Sequence, residues 1–125
     1  MADKFDRDAL NYYTGTEQWY RYSPLLFPSM LLTDGTKYVA DSAGAYWLMD
    51  AIASHILHKP EVRSESFVLC RLEVSAGKAM LTLDDGDGTI LAEQAIDSTD
   101  FPAPGIMLYA INDGKYWTLL LPSEY

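Results

Sequence analysis

Three groups of side chains have types and spacings that could do chemistry. His55 and His58 stand i, i+3 on what reads as one helix, with Cys70 further on. Two imidazoles so spaced can face one metal ion. Zinc sites need three or four ligands, and neither CxxC nor HExxH accompanies the pair, so no metal and no other cofactor is expected. Asp50, Ser54 and His58 follow an i, i+4, i+8 line with the residue types of a hydrolase triad. A serine in mid-helix finds its neighbouring N–H groups already used by the helix ladder, which leaves no oxyanion donors, so a solvated polar face is the expectation. Cys70 falls between Val68 and Leu72 on the apolar side of a strand pattern, where a thiol is inert. Asp84, Asp85 and Asp87 around Gly86 and Gly88 resemble a calcium loop only superficially. With Gly88 at the sixth position, Leu83 falls on the first and Gln94 on the twelfth, where the EF-hand needs acids. No phosphate-cradling glycine motif occurs. The chain therefore reads as more plausibly a binder than an enzyme.

The densest feature is the run from Tyr12 to Tyr22, with five aromatic residues in eleven and Arg21 among them. Trp, Tyr and Arg are the residues that dominate interface energetics, and an arginine stacks on rings. Trp19, Tyr20 and Arg21, with Tyr38, Tyr46, Trp47 and Asp50 from the region that follows, are the candidate binding residues.

These residues need elements to hold them. Phe5, Ala9, Leu10 and Tyr13 predict a short helix between Asp3 and Tyr13, and Glu17 to Tyr22 reads as a strand. Asp34-Gly35 between apolar runs predicts a hairpin joining Met30–Leu32 to Lys37–Ala40. The main helix is expected from about Ala43 to Leu57, capped by Asp41 or Ser42 and stopped by His58, Lys59 and Pro60. Ala45, Leu48, Met49, Ile52 and Ile56 form its apolar stripe. Trp47 lies opposite, so a second layer is expected over it, from the N-terminal segment or another subunit. Strands are predicted at Phe67–Ser75, Ala79–Leu83, Thr89–Ile96, Ile106–Ile111 and Tyr116–Leu121, joined by tight turns at Ala76-Gly77 and Asn112-Asp113-Gly114. The expected class is α+β: an antiparallel meander of short strands with one main amphipathic helix packed on it, in a single domain over residues 1–125.

Composition bounds the partners. The chain has 125 residues and a net charge of −9. Seven acids and no Lys or Arg lie between Ala79 and Gly114, among them Asp84, Asp85, Asp87, Glu93, Asp97 and Asp100, an expected acidic patch. Such a surface repels phosphate backbones, so no direct nucleic-acid contact is expected, whereas a basic protein face would be attracted. One cysteine, a charged N-terminus and no apolar run of membrane length point to a cytoplasmic protein off the membrane.

The strings TGTEQWYRY (14–22), TDGTKYVADSAGAYWLMDAIASH (33–55), DFPAPGIMLYAINDG (100–114) and LLLPSEY (119–125) resemble a small bacterial family of unknown function, over nearly the whole chain. The resemblance implies a complete domain and no particular activity. It marks Trp19, Tyr20, Arg21, Asp34, Gly35, Tyr38, Ala43, Gly44, Tyr46, Trp47, Leu48 and Asp50 as family-typical. The expected function is a non-enzymatic interaction module that binds a protein partner or a second copy of itself, by charge mimicry of nucleic acid or by self-association. The alternative is a small-molecule binder or minor hydrolase, with a pocket between helix and sheet lined by Trp19, Tyr38, Tyr46 and Trp47.

Overall fold

The computed structural model describes residues 5–23 and 26–125. Its strands are β1 (Tyr20–Ser23), β2 (Phe27–Leu32), β3 (Phe67–Ser75), β4 (Lys78–Asp84), β5 (Ile90–Ile96), β6 (Gly105–Asn112) and β7 (Trp117–Leu120). Between β2 and β3 lie α1 (Asp34–Ser42), α2 (Tyr46–His58) and the short α3 (Pro60–Arg63), with 3-10 turns at Arg7–Tyr12 and Pro122–Glu124. All seven strands form one sheet in the order β1-β2-β7-β6-β3-β4-β5.

The α+β class holds, but two of its finer features do not. The sheet is mixed rather than an antiparallel meander: β2 and β7 pair in parallel, Met30 beside Trp117 and Leu32 beside Leu119. The helical layer carries the chain across the sheet, so β2 can lie alongside β7 in the same direction. Nor is there one main helix. Asp34-Gly35 opens α1 instead of turning a hairpin. Thr33 is its N-cap, and the hydroxyls of Thr33 and Thr36 exchange bonds with each other's backbone N–H in a capping box. Thr36, Val39, Ala40 and Ala43, an i, i+3, i+4, i+7 set, are buried against the sheet. Gly44, with φ +61°, then ends α1, and Ala45 N–H returns to the Ala40 carbonyl, the six-to-one bond of a Schellman turn. Asp41 and Ser42 therefore belong to the last turn of α1 rather than capping the next helix. The N-cap of α2 is Ala45, with no side-chain cap bond.

The strand pattern from Phe67 onward stands as expected, including the β3–β4 turn at Ala76-Gly77 and the β6–β7 turn at Asn112-Asp113-Gly114. In β3 the alternation is strict: Val68, Cys70, Leu72 and Val74 are buried, whereas Phe67, Leu69 and Arg71 are half-buried and Glu73 is exposed. The buried set joins Leu48, Met49, Ile52 and Ile56 of α2 and Val39 of α1 in one hydrophobic cluster. The helices thus cover one face of the sheet. On the other face, the register lines up Leu69, Tyr109 and Leu120, then Arg71 beside Met107 and Thr82, then Glu73 beside Met80. This face receives the ring of Tyr125, which meets Phe67 and Tyr109 edge-on at 6.0 and 5.3 Å.

The expected second layer over the helices exists, but it centres elsewhere. Phe5 and Tyr13 pack on Tyr38, at 6.1 and 5.5 Å between ring centroids, and Tyr22 stacks on Tyr46 at 6.0 Å. Trp47 is half-buried against the core, without a ring partner among the described residues. No described helix is long and apolar enough to cross a membrane.

Candidate functional site

Three of the four strings on which the resemblance rests, 14–22, 33–55 and 119–125, meet at the N-terminus of α1. The Asp34 carboxylate accepts from Glu17 N–H at 3.0 Å and from Tyr20 Oη at 3.0 Å, while Asp34 N–H donates to Thr16 Oγ1. Glu124, from the chain's last residues, accepts from Thr33 Oγ1 at 2.6 Å and from Gly35 N–H at 3.0 Å. A carboxylate there meets free N–H groups and the positive end of the helix dipole. Glycine fits closely at 35: a Cβ would stand 2.6 Å from both Glu124 Oε1 and Leu121 Cδ1, so both side chains would have to shift. The Glu17 N–H, ahead of the Tyr20 hydroxyl, holds the Asp34 carboxyl below its ordinary pKa, and hydrogen bonding to Asp34 raises the Tyr20 phenol.

From this clasp a chain of phenols and acids crosses the outer surface of the helices. Lys37 pairs with Asp41 at 2.7 Å and lies 5.4 Å over the Tyr20 ring; Tyr46 donates to Asp41, and Tyr22 donates to Asp50 at 2.5 Å. Burial, then the bond to Asp50, raises the Tyr22 phenol; burial and Asp41 raise that of Tyr46. Lys37, ahead of Tyr46, lowers the Asp41 carboxyl. Every acid in this chain is engaged by a donor, and no buried side-chain polar atom lacks a partner among the described residues. The arrangement fastens the N-terminal segment to the helices.

The candidate binding residues are therefore divided. Tyr20, Tyr38, Tyr46 and Asp50 share this outer helical surface, joined by Tyr22, Asp41 and Glu124, which are not among the residues the sequence marks for binding. Trp19 is 57% exposed. Arg21 pairs with Leu31 in register and reaches Tyr116, donating to its Oη at 3.3 Å, which puts it on the uncovered sheet face. Trp47 packs inward. A pocket lined by Trp19, Tyr38, Tyr46 and Trp47 does not form among the described residues. Tyr38 instead borders a shallow hollow with Tyr13, Tyr20 and Lys37.

The acidic residues do not form one patch either. Asp84 is 6% exposed, accepts from Gly86 N–H at 2.7 Å and lies 3.9 Å from Arg71. Asp85 spends its carboxylate on the N–H groups of Asp87 and Thr89, which lower its pKa. Asp87, Glu93, Asp97 and Asp100 are exposed. They flank edge strand β5 from one end to the other, a line of charge rather than a cluster. Charge on an edge strand also discourages edge-to-edge pairing.

No described group of three His, Cys, Asp or Glu could hold a metal ion. His55 Nε2 is bonded to Gln94 Oε1 at 2.9 Å, and Cys70 lies in the core, its thiol pushed far up by burial. Asp50 is taken by Tyr22, so it does not begin a relay through Ser54 to His58.

A cleft of about 260 Å³ does open between α2 and the sheet, at the end remote from the clasp. Met30, Ala53, Ile56 and Trp117 form its walls, with Phe27 at one side. None of these was legible as a site, because each satisfies a core or strand pattern.

The fold and these surfaces define a two-layer α+β protein with helices on one face of a seven-stranded mixed sheet. The chain belongs to DUF6876, a family of unknown function whose model matches residues 4–125. Among solved structures it is similar to a protein of unknown function from Enterococcus faecalis, at 23% identity and a TM-score of 0.55, over 86% of this chain and 98% of that one. That likeness speaks for the fold. No curated protein matches the chain.

Proposed function

We propose that the protein is a non-enzymatic interaction module that binds a protein partner on the uncovered face of its sheet. The observation that carries the reading is the composition of that face. Leu31, Leu69, Tyr109 and Ile111 are half-buried and Met80 and Met107 exposed, with Arg21, Arg71, Tyr116 and Tyr125 among them. Aromatic residues, Met and Arg are the types enriched in interface cores, whereas Lys, Asp and Glu are depleted there. Glu93 and Glu73 lie toward the β5 side, so the matching partner carries an apolar centre with basic residues at its rim. A second copy fits less well, because each copy brings a net charge of −9. The reading is of a cytoplasmic bacterial protein; its free, buried cysteine and its bacterial structural neighbour are consistent with that.

Met107→Glu tests it. Met107 is 38% exposed and sits beside Arg71 in register, so the new carboxylate meets a cation and stability stays within about 0.5 kcal/mol. Co-purification from the native host is expected to recover a stoichiometric, salt-sensitive partner with the parent and to lose it with the variant. Identical recovery by both, with both sedimenting as monomers, contradicts the proposal.

A further inference from the structure

We infer that the cleft between α2 and the sheet is a binding site for a small amphipathic carboxylate, independent of the sheet-face interface. The cavity offers apolar walls on three elements: Met30 from β2, Ala53 and Ile56 from α2, and Trp117 from β7. Its rim has the opposite character to the rest of the molecule. Arg63 and Lys115 both line it, and no Asp or Glu does, in a chain with nine Lys and Arg against eighteen acids. Neither cation forms an ion pair among the described residues. Arg63 is held in place by one bond, Nη1 donating to the Leu57 carbonyl at 2.6 Å, which leaves its other N–H groups for a ligand. Asp113, the acid next to Lys115 in the turn, already accepts from the Lys115 and Tyr116 N–H groups and from no lysine Nζ. Asn112 and Ser29 add polar groups at the mouth.

Convergent polar groups over an apolar hollow are the usual form of a ligand site. The volume sets the size. A dry cavity of roughly 150 Å³ holds benzene, so 260 Å³ takes about ten non-hydrogen atoms, the size of octanoate. Arg63 at the mouth, with Lys115 within reach of it once its Nζ leaves the Tyr116 ring over which it lies at 5.2 Å, and hydrocarbon walls within select a carboxylate over a neutral body of the same length.

The test titrates octanoate and octanol separately into the full-length protein and follows methyl and backbone NMR shifts. Octanoate is expected to bind saturably, with shifts clustered at Met30, Ala53 and Ile56, and at least tenfold more tightly than octanol. The exposed pair Arg63→Gln and Lys115→Gln is expected to bring octanoate down to the affinity of octanol while leaving octanol unchanged. Equal affinities in the parent, absence of saturation, or shifts spread over Met80 and Met107 would overturn the assignment. The last pattern would instead mark the sheet face as generally sticky, and none of these outcomes bears on whether a protein partner binds there.

Discussion

Glu124, Asp34 and Gly35 join three separated stretches of the sequence at one helix terminus. Glu124 reaches the first turn of α1 from the C-terminal segment, where Gly35 leaves it room, and Asp34, within that turn, accepts from Glu17 and Tyr20 of the N-terminal segment. Gly35→Ala forces the Glu124 carboxylate and the Leu121 side chain aside, since the added carbon would stand 2.6 Å from each. Overpacking of this kind costs about 1–3 kcal/mol, measurable in urea unfolding. Asp34 sets a pH dependence. A carboxyl whose folded pKa lies below its unfolded value, about 4, stabilises the fold above that value and loses the contribution as pH falls through the folded one. Asp34→Asn is therefore expected to melt below the parent at pH 7, with the gap closing as the pH drops below about 4. A gap that stays constant down to pH 2 would separate Asp34 from the acid limb. The residue types in the clasp were visible in the sequence; their meeting was not, because Glu124 and Thr33 lie 91 positions apart.

At the scale of elements, the sequence was clearest where period two and turn residues agreed. β3 was legible to the residue, since four buried positions alternate with five turned outward and Ala76-Gly77 follows. The misreading was at Asp34-Gly35 and at Gly44. Asp-Gly between apolar runs looks like a hairpin, yet Thr33 and Thr36 supply a helix cap that outweighs it, and the buried set from Thr36 to Ala43 has helical spacing. Gly44 falls within the single helix that the apolar stripe predicts, whereas its left-handed backbone ends α1. No atom lies within 4 Å of a Cβ built there, so Gly44→Ala isolates the backbone effect. The left-handed conformation costs about 1–2 kcal/mol, and a stiffer unfolded chain returns part of it, for a net loss of about 1 kcal/mol in thermal unfolding. The parallel β2–β7 pairing was illegible for a different reason: Met30 and Trp117, like Leu32 and Leu119, lie 87 positions apart, and no local pattern records a pairing that long.

For the whole molecule, the decisive asymmetry is between the two faces of the sheet. One is covered by α1 and α2, apart from the cleft beside α2, and a Tyr–Asp network ties the N-terminal segment over the helices. The other keeps aromatic, methionine and arginine side chains half in water, at the cost of leaving apolar area unburied. Sequence periodicity did reveal which strand residues face away from the core. It did not reveal that α1 and α2 would both lie on the opposite face, because the face that helices cover depends on where the chain crosses the sheet. The measurement that bears most directly on the proposed interface is photo-crosslinking in the native host, with benzoylphenylalanine placed at Met107 or Met80 and, as a control, at Tyr12, which is 85% exposed and lines a hollow with Glu17 and Asp34 at the α1 N-terminus. One discrete adduct from both methionine positions and none from Tyr12 is the predicted result. No adduct from either methionine, or the same adducts from all three positions, would contradict it.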